Sequence, residues 1–167
     1  CAHDAIVRAA DLIPNPKNPN KHPQAQIEAL GAIIRGSGWR NPITVSTRSG
    51  LVVKGHGRLL AAQLEELDEV PVDYQDYESE AAELADLTAD NRIAELAETD
   101  NKMLIEIFGT IDASDLDFGL SGYSKDEYAE IAASLNETLA ATETEEDLDD
   151  VPETPDAPVT QYGDIWI

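Results

Sequence analysis

The chain has 167 residues, enough for one compact domain with at most a small appendage. No run approaches the roughly 18 apolar residues of a membrane span, and no signal peptide is evident, so a cytoplasmic protein with no membrane partner is expected. The one cysteine, Cys1, rules out an internal disulfide, and 34 acidic against 11 basic side chains, a net charge of −23, argue against a strongly DNA-binding surface.

Taken in chain order, Ala5 to Ile13 contains a candidate strand closed by Pro14 and Pro16. Asn15, Asn18, Pro19 and Asn20 make a rigid polar loop. Pro23 fits the first position of a helix whose Ile27, Leu30, Ile33 and Ile34 form an apolar stripe, with Gly36 and Gly38 ending it. Ile43 and Val45, then Leu51 and Val53, read as two strands joined at Arg48-Ser49-Gly50. The second strand runs into Lys54-Gly55-His56-Gly57-Arg58. A helix carrying Leu59, Leu60, Ala62, Leu64 and Leu67 follows, and then a strand around Val70 to Tyr74. From Glu78 to Glu98 the pattern is helical, with an interruption at Thr88 to Asn91 expected to bend or split it. Residues 101–108 add a short helix, and Ser124 with Glu127 matches a capping box opening a helix to about Leu135. Asn136 to Asp156 holds nine acids, no base and two prolines, and reads as disordered linker. The expected class is α+β, a small mixed sheet with packed helices.

The chemistry concentrates at the strand–glycine–helix junction. A glycine turn lets backbone N–H groups face an anion, the helix dipole adds positive character there, and Lys54 and Arg58 add full charges. The plain alternative is a tight turn with a solvated arginine. His56 at the helix start suits proton relay or a divalent metal beside a phosphodiester; the alternative is a loop histidine bonded to backbone. Trp39, beside Arg40 and Asn41, suits base stacking or a core anchor. No His/Cys/Asp spacing resembles a dedicated metal cage, and Asp11, Glu28 and Asp90 form no evident carboxylate set.

Charge is unevenly divided. Residues 1–75 hold eight basic and eight acidic side chains, and residues 76–167 hold three and 26. Contact with DNA phosphates would draw on Arg35, Arg40, Arg48, Lys54 and Arg58, and binding by this chain alone is expected to be weak. The acidic half reads as solvated surface and linker, or as an arm that occupies a nucleic-acid-binding surface.

The series Leu12-Ile-Pro-Asn-Pro, helix, Gly38-x-x-Asn-Pro-Ile-x-Val, strand, Gly55-x-x-Arg58, then Val70-Pro-Val resembles the ParB N-terminal domain. That domain shares a fold with sulfiredoxin and ParB-like nucleases, and the resemblance covers residues 5 to 98. It implies that Arg58 and the backbone at Gly55, His56 and Gly57, with Lys54, hold the phosphates of a nucleoside triphosphate with Mg²⁺. Asn91 and Arg92 match an Asn/Arg segment that approaches the phosphates, although Arg92 could equally pair with Asp90, Glu95 or Asp86. Asn18, His22 and Asn41 would stand near the same pocket. The family's Gly-Glu-Arg-Arg is Gly55-His56-Gly57-Arg58 here, lacking the acid and one arginine. His56 stands where sulfiredoxin carries its cysteine, which excludes sulfinic-acid reductase chemistry.

A second stretch, Ala89-Asp-Asn-Arg-Ile-Ala-Glu-Leu-Ala and then Phe118-Gly-Leu-Ser-Gly-Tyr-Ser-Lys-Asp-Glu-Tyr, resembles the region after the ParB-like domain in phage and prophage DNA methyltransferases. Gln161-Tyr-Gly-Asp-Ile-Trp-Ile resembles the opening of their catalytic domain. The implied organisation is a ParB/sulfiredoxin-like domain at 1–98, a helical extension at 99–136, an acidic linker at 137–158 and the start of a truncated catalytic domain at 159–167. The methyltransferase domain would be a partner in cis, DNA a further partner and homodimerisation an open alternative; S-adenosylmethionine would serve only the missing domain. No Asp-Pro-Pro-Tyr tetrapeptide is present. Three functions follow: a non-catalytic module contributing DNA or nucleotide recognition, a nuclease or nucleoside triphosphatase using the Gly55–Arg58 loop with His56 as catalytic group, or an acidic interaction protein.

Overall fold

The computed structural model describes residues 1–146, with side chains throughout except at 90 and 139–146. Five strands form one mixed sheet: β1 (Ala5–Arg8), β2 (Ile13–Pro14), β3 (Ile43–Ser46), β4 (Leu51–Lys54) and β5 (Glu69–Gln75), in the spatial order β1-β5-β3-β4-β2. β3 and β4 are the expected hairpin, antiparallel with a register shift at Thr44/Val45. β5 lies parallel to β3, with Ile43 opposite Val72, and antiparallel to β1. The first predicted strand is divided in two. A 3₁₀ turn at Ala9–Asp11 breaks it, so that β1 joins β5 at one edge and β2 joins β4 at the other.

Helices α1 (Gln24–Ser37) and α2 (His56–Leu64) pack on each other, and α2 lies against the sheet. Alternation along the strands points Ile43, Val45, Val52, Val70 and Val72 inward, where Leu59 and Ala62 of α2 meet them, all buried. Trp39 is half-buried against this cluster, which supports the core-anchor reading over base stacking. Pro23 sits one position outside α1 in extended conformation, and its carbonyl accepts the Gln26 and Ile27 N–H groups. Gly36 lies inside α1 instead of ending it. A Cβ there would fall 2.5 Å from Leu120 Cδ2, so this glycine marks where the later helices approach. Gly38, at φ 70°, is the residue that stops the helix.

Helix α3 (Glu80–Glu95) packs along β4, its N-terminus capped by the Ser79 hydroxyl. It is one helix through Thr88 to Asn91, where the sequence reads as an interruption that bends or splits it, so it is not split there. The Thr88 hydroxyl donates to the Leu84 and Ala85 carbonyls at 3.0 Å each, returning its hydrogen bond to its own helix. Helices α4 (Asn101–Asp112) and α5 (Lys125–Glu146) flank a second 3₁₀ turn, Phe118–Ser121. Phe108 is fully buried among Phe118, Tyr123 and Tyr128, with ring centroids 4.9–5.3 Å away in edge-to-face geometry. The capping box forms as predicted: the Glu127 N–H donates to the Ser124 hydroxyl, and the Ser124 N–H and hydroxyl donate to the Glu127 carboxylate, which lowers its pKa. α5 runs to Glu146, past the expected end near Leu135, because Ala, Leu and Glu there are good helix formers. The acidic linker proposed from 137 therefore begins within a helix. Its remainder, 147–158, and the segment 159–167 lie outside the described residues.

Since three rings converge on Phe108, Phe108→Ala should cost about 3–5 kcal/mol. The loss should appear in urea denaturation as a lower midpoint, with early proteolytic cleavage after residue 100; an unchanged midpoint would show that the aromatic cluster contributes little.

Candidate functional site

β4 hands the chain to α2 through Gly55, which sits at φ 89° and ψ 26°, left-handed territory that favours glycine. A Cβ at this position would lie 2.9 Å from Arg58 Nη2, because the guanidinium folds back over the turn; Nη2 also donates to the Pro42 carbonyl at 3.0 Å. Gly57 has a different task. A Cβ there would stand 3.0 Å from Leu30 Cδ1 and 3.2 Å from His22 Nδ1, so its bareness lets α1 and the loop before it close on α2.

A cavity of about 220 Å³ opens at this junction. Lys54, Gly55, His56, Gly57 and Arg58 form one side, and Asn18, Asn20, His22, Gln26 and Asn91 form the other. Leu30, Val53 and Leu87 supply its apolar floor. An adjoining groove of about 610 Å³ shares Asn20, His22, Gln26 and Asn91, and continues past Lys21 and Ala94 to Glu95. Two sequence-predicted residues stand elsewhere. Arg92 turns outward to Glu95 at 3.2 Å, both about two-thirds exposed, which is the local ion pair weighed as its alternative. Asn41 is exposed and off the cavity wall; its neighbour Pro42 supplies the carbonyl that holds Arg58.

The polar groups of the wall are engaged in defined ways. Lys54 Nζ pairs with Asp86 Oδ1 at 2.9 Å, and the Tyr77 hydroxyl donates to Asp86 Oδ2 at 2.7 Å. Burial works to raise the Asp86 carboxyl, but Lys54 and Tyr77 outweigh it and hold the group below the usual carboxylate range. Tyr77 is pushed well up, first by burial and then by Asp86. Nearby, Glu83 is buried at 3% exposure and accepts from the Ser46 and Ser49 hydroxyls, both at 2.8 Å, fastening α3 to the β3–β4 turn. Sequence reasoning passed over Glu83 and Asp86. The available signal was the four-residue spacing of Glu83, Leu87 and Asn91, with Asp86 three residues after Glu83, which puts both acids on one side of α3.

His56 is buried, and its Nε2 accepts the Asn15 backbone N–H at 3.2 Å, so the proton resides on Nδ1. This bond ties the Asn15–Asn20 loop to the start of α2. The loop is further stiffened by Asn15 Oδ1 accepting from the Lys17 N–H and Asn18 Oδ1 from the Asn20 N–H. The backbone-bonded alternative thus describes Nε2, and the catalytic role weighed for His56 loses that nitrogen. His22 Nδ1 shares a hydrogen with Gln26 Oε1 at 3.0 Å, while its Nε2 is buried with no hydrogen-bond partner among the described residues.

Burial, and secondarily His22, lower the His56 pKa. The unfolded chain takes up that proton near the ordinary histidine value of about 6.5 and the folded chain resists it, so stability rises with pH through that window. Lowering the pH from about 7.5 to about 5.5 should lower the denaturation midpoint, and His56→Gln should flatten the slope. Identical slopes in the two proteins would remove His56 as the cause.

No family model matches the chain. Over 62 residues it is 36% identical to the ParB-like nuclease domain-containing protein YnaK of Escherichia coli (strain K12), a stretch covering 37% of this chain and 70% of that protein. Among solved structures it is similar to the C-terminally truncated chromosome-partitioning protein ParB from Caulobacter crescentus complexed with CTP-gamma-S. The TM-score is 0.55 at 23% identity, over 65% of this chain and 62% of that one. The chain thus spans less than two thirds of that ParB structure, and the likeness is one of fold. With a relative 36% identical and matched over 70% of its length, the chain belongs to the ParB-like domain family.

Proposed function

We propose that this domain recognises a phosphorylated nucleotide at the Gly55–Arg58 turn, as the non-catalytic N-terminal module of a larger, phage-type DNA methyltransferase. The observation that carries the nucleotide reading is the placement of Arg58, Lys54 and the first N–H groups of α2 around one cavity behind a left-handed glycine. The polyphosphate chain takes the 220 Å³ recess, and the nucleoside takes the adjoining amide-lined groove. The similar Caulobacter ParB is complexed with a CTP analogue, which supports the same ligand class here. Mg²⁺ would arrive on the phosphates, as it usually does, since no group of three or more metal-ligating side chains occurs among the described residues.

Recognition stands ahead of nuclease or nucleoside triphosphatase chemistry because His56, the candidate base, spends Nε2 on Asn15. DNA is the partner of the larger protein, with this chain contributing little phosphate contact of its own. The methyltransferase context rests on the resemblance of residues 89–128 and of the last residues to that family.

Calorimetric titration with CTP, ATP and GTP plus Mg²⁺ tests the site. At least one should give saturable heat, and Arg58→Ala should weaken it about tenfold to a hundredfold, the loss of a charge-assisted hydrogen bond. No heat with any of the three overturns the nucleotide reading. Turnover abolished by Arg58→Ala would replace recognition with hydrolysis.

A further inference from the structure

One cation beside the turn is already spoken for by an acid of this chain. Lys54 immediately precedes Gly55 and lines the cavity, yet its ammonium lies 2.9 Å from the Asp86 carboxylate. The pair is about one-third exposed on each side, so solutes reach it and its exchange carries no deep-burial penalty. Asp86 has a second hold, the Tyr77 hydroxyl at 2.7 Å on its other oxygen. When Lys54 departs, the carboxylate keeps a strong donor and is not orphaned. Tyr77 precedes α3 and Asp86 lies within it, on the helix that also sends Leu87 and Asn91 to the cavity wall.

We infer that Asp86 is an internal counter-ion which a phosphoryl group displaces from Lys54, with Tyr77 holding the released carboxylate. The inference rests on the phosphate-site reading above and adds its regulation. Asp86 sets how anionic a ligand must be to enter. A singly charged group competes poorly with a carboxylate already in place, whereas a polyphosphate repays the exchange through several oxygens and through Arg58. Exchange also alters one anchor of α3, so occupancy of the cavity is felt at the helix that packs on β4.

Inorganic tripolyphosphate is the probe, titrated calorimetrically into the wild-type chain, Asp86→Asn, Lys54→Met and the double variant. Asp86→Asn should bind about fivefold or more tighter than wild type, since a like charge beside the site is gone and the Lys54 ammonium no longer faces that carboxylate. The gain should shrink when Lys54 is also Met, because the effect runs through that ammonium. In parallel, the lysine side-chain resonances of the wild-type chain should show Lys54 moving on titration, a readout that needs no substitution to fold. Binding by the wild-type chain with no gain in Asp86→Asn, or with Lys54 unmoved, overturns the counter-ion role and leaves the phosphate site standing. Absence of binding in both the wild-type chain and Asp86→Asn overturns the site itself and this inference with it.

Discussion

The left-handed turn at Gly55 is the constraint from which the rest of the site follows. β4 must reverse into α2 within one residue, and a side chain at that residue would meet the Arg58 guanidinium at 2.9 Å. Because the turn is bare, Arg58 can fold back over it and be gripped by the Pro42 carbonyl, which belongs to the entry of β3. One glycine therefore sets the direction of α2, the position of the cation and the link to the central strand together. The N-terminus of α2 then faces the recess between the sheet, α1 and α3.

The second structural layer exists to hold that recess open at fixed width. Gly57 lets the His22 side of the loop close down, the His56–Asn15 bond pins the loop's start, and Glu83 locks α3 to the hairpin through two serine hydroxyls. A buried carboxylate without hydrogen-bond donors would be expensive; satisfied by two hydroxyls, it becomes a fastening. The three contacts act on three different walls of a cavity bordered by side-chain amides and floored by Leu30, Val53 and Leu87.

Much of this was legible in the sequence, and the reasons differ by element. Leu51–Lys54, Gly55 and α2 could be placed because period-two and period-3.6 patterns meet at a glycine, a local signal. The Ser124–Glu127 box could be read for the same reason: both partners lie within one turn. The continuity of α3 was hidden because Thr88, read as an interruption, bonds its own helix. Arg92 looked like a pocket residue by its position in a motif, but a three-residue spacing to Glu95 gave it a partner on the outer face. Asp86 was invisible as a site residue because its pairing with Lys54 spans the gap between β4 and α3, a contact that sequence spacing does not express.

The charge distribution acquires a structural meaning from these pairings. Of the eight cations in residues 1–75, Arg8, Lys17, Arg35 and Lys54 each sit in an ion pair, with Asp11, Glu80, Glu65 and Asp86 respectively. Two of those acids, Glu80 and Asp86, come from the acidic half through α3. The exposed pairs add little to stability, but each withdraws a cation from the surface that a DNA backbone would use. At the cavity the Arg58 guanidinium donates to the Pro42 carbonyl, which fixes its position over the turn. A long, diffuse polyanion would meet a surface on which four of these eight cations already face acids. On the proposed reading, a compact anion small enough for the recess would meet the helix N-terminus, the Arg58 guanidinium and the Lys54 ammonium at close range, which would favour phosphate groups over duplex backbone.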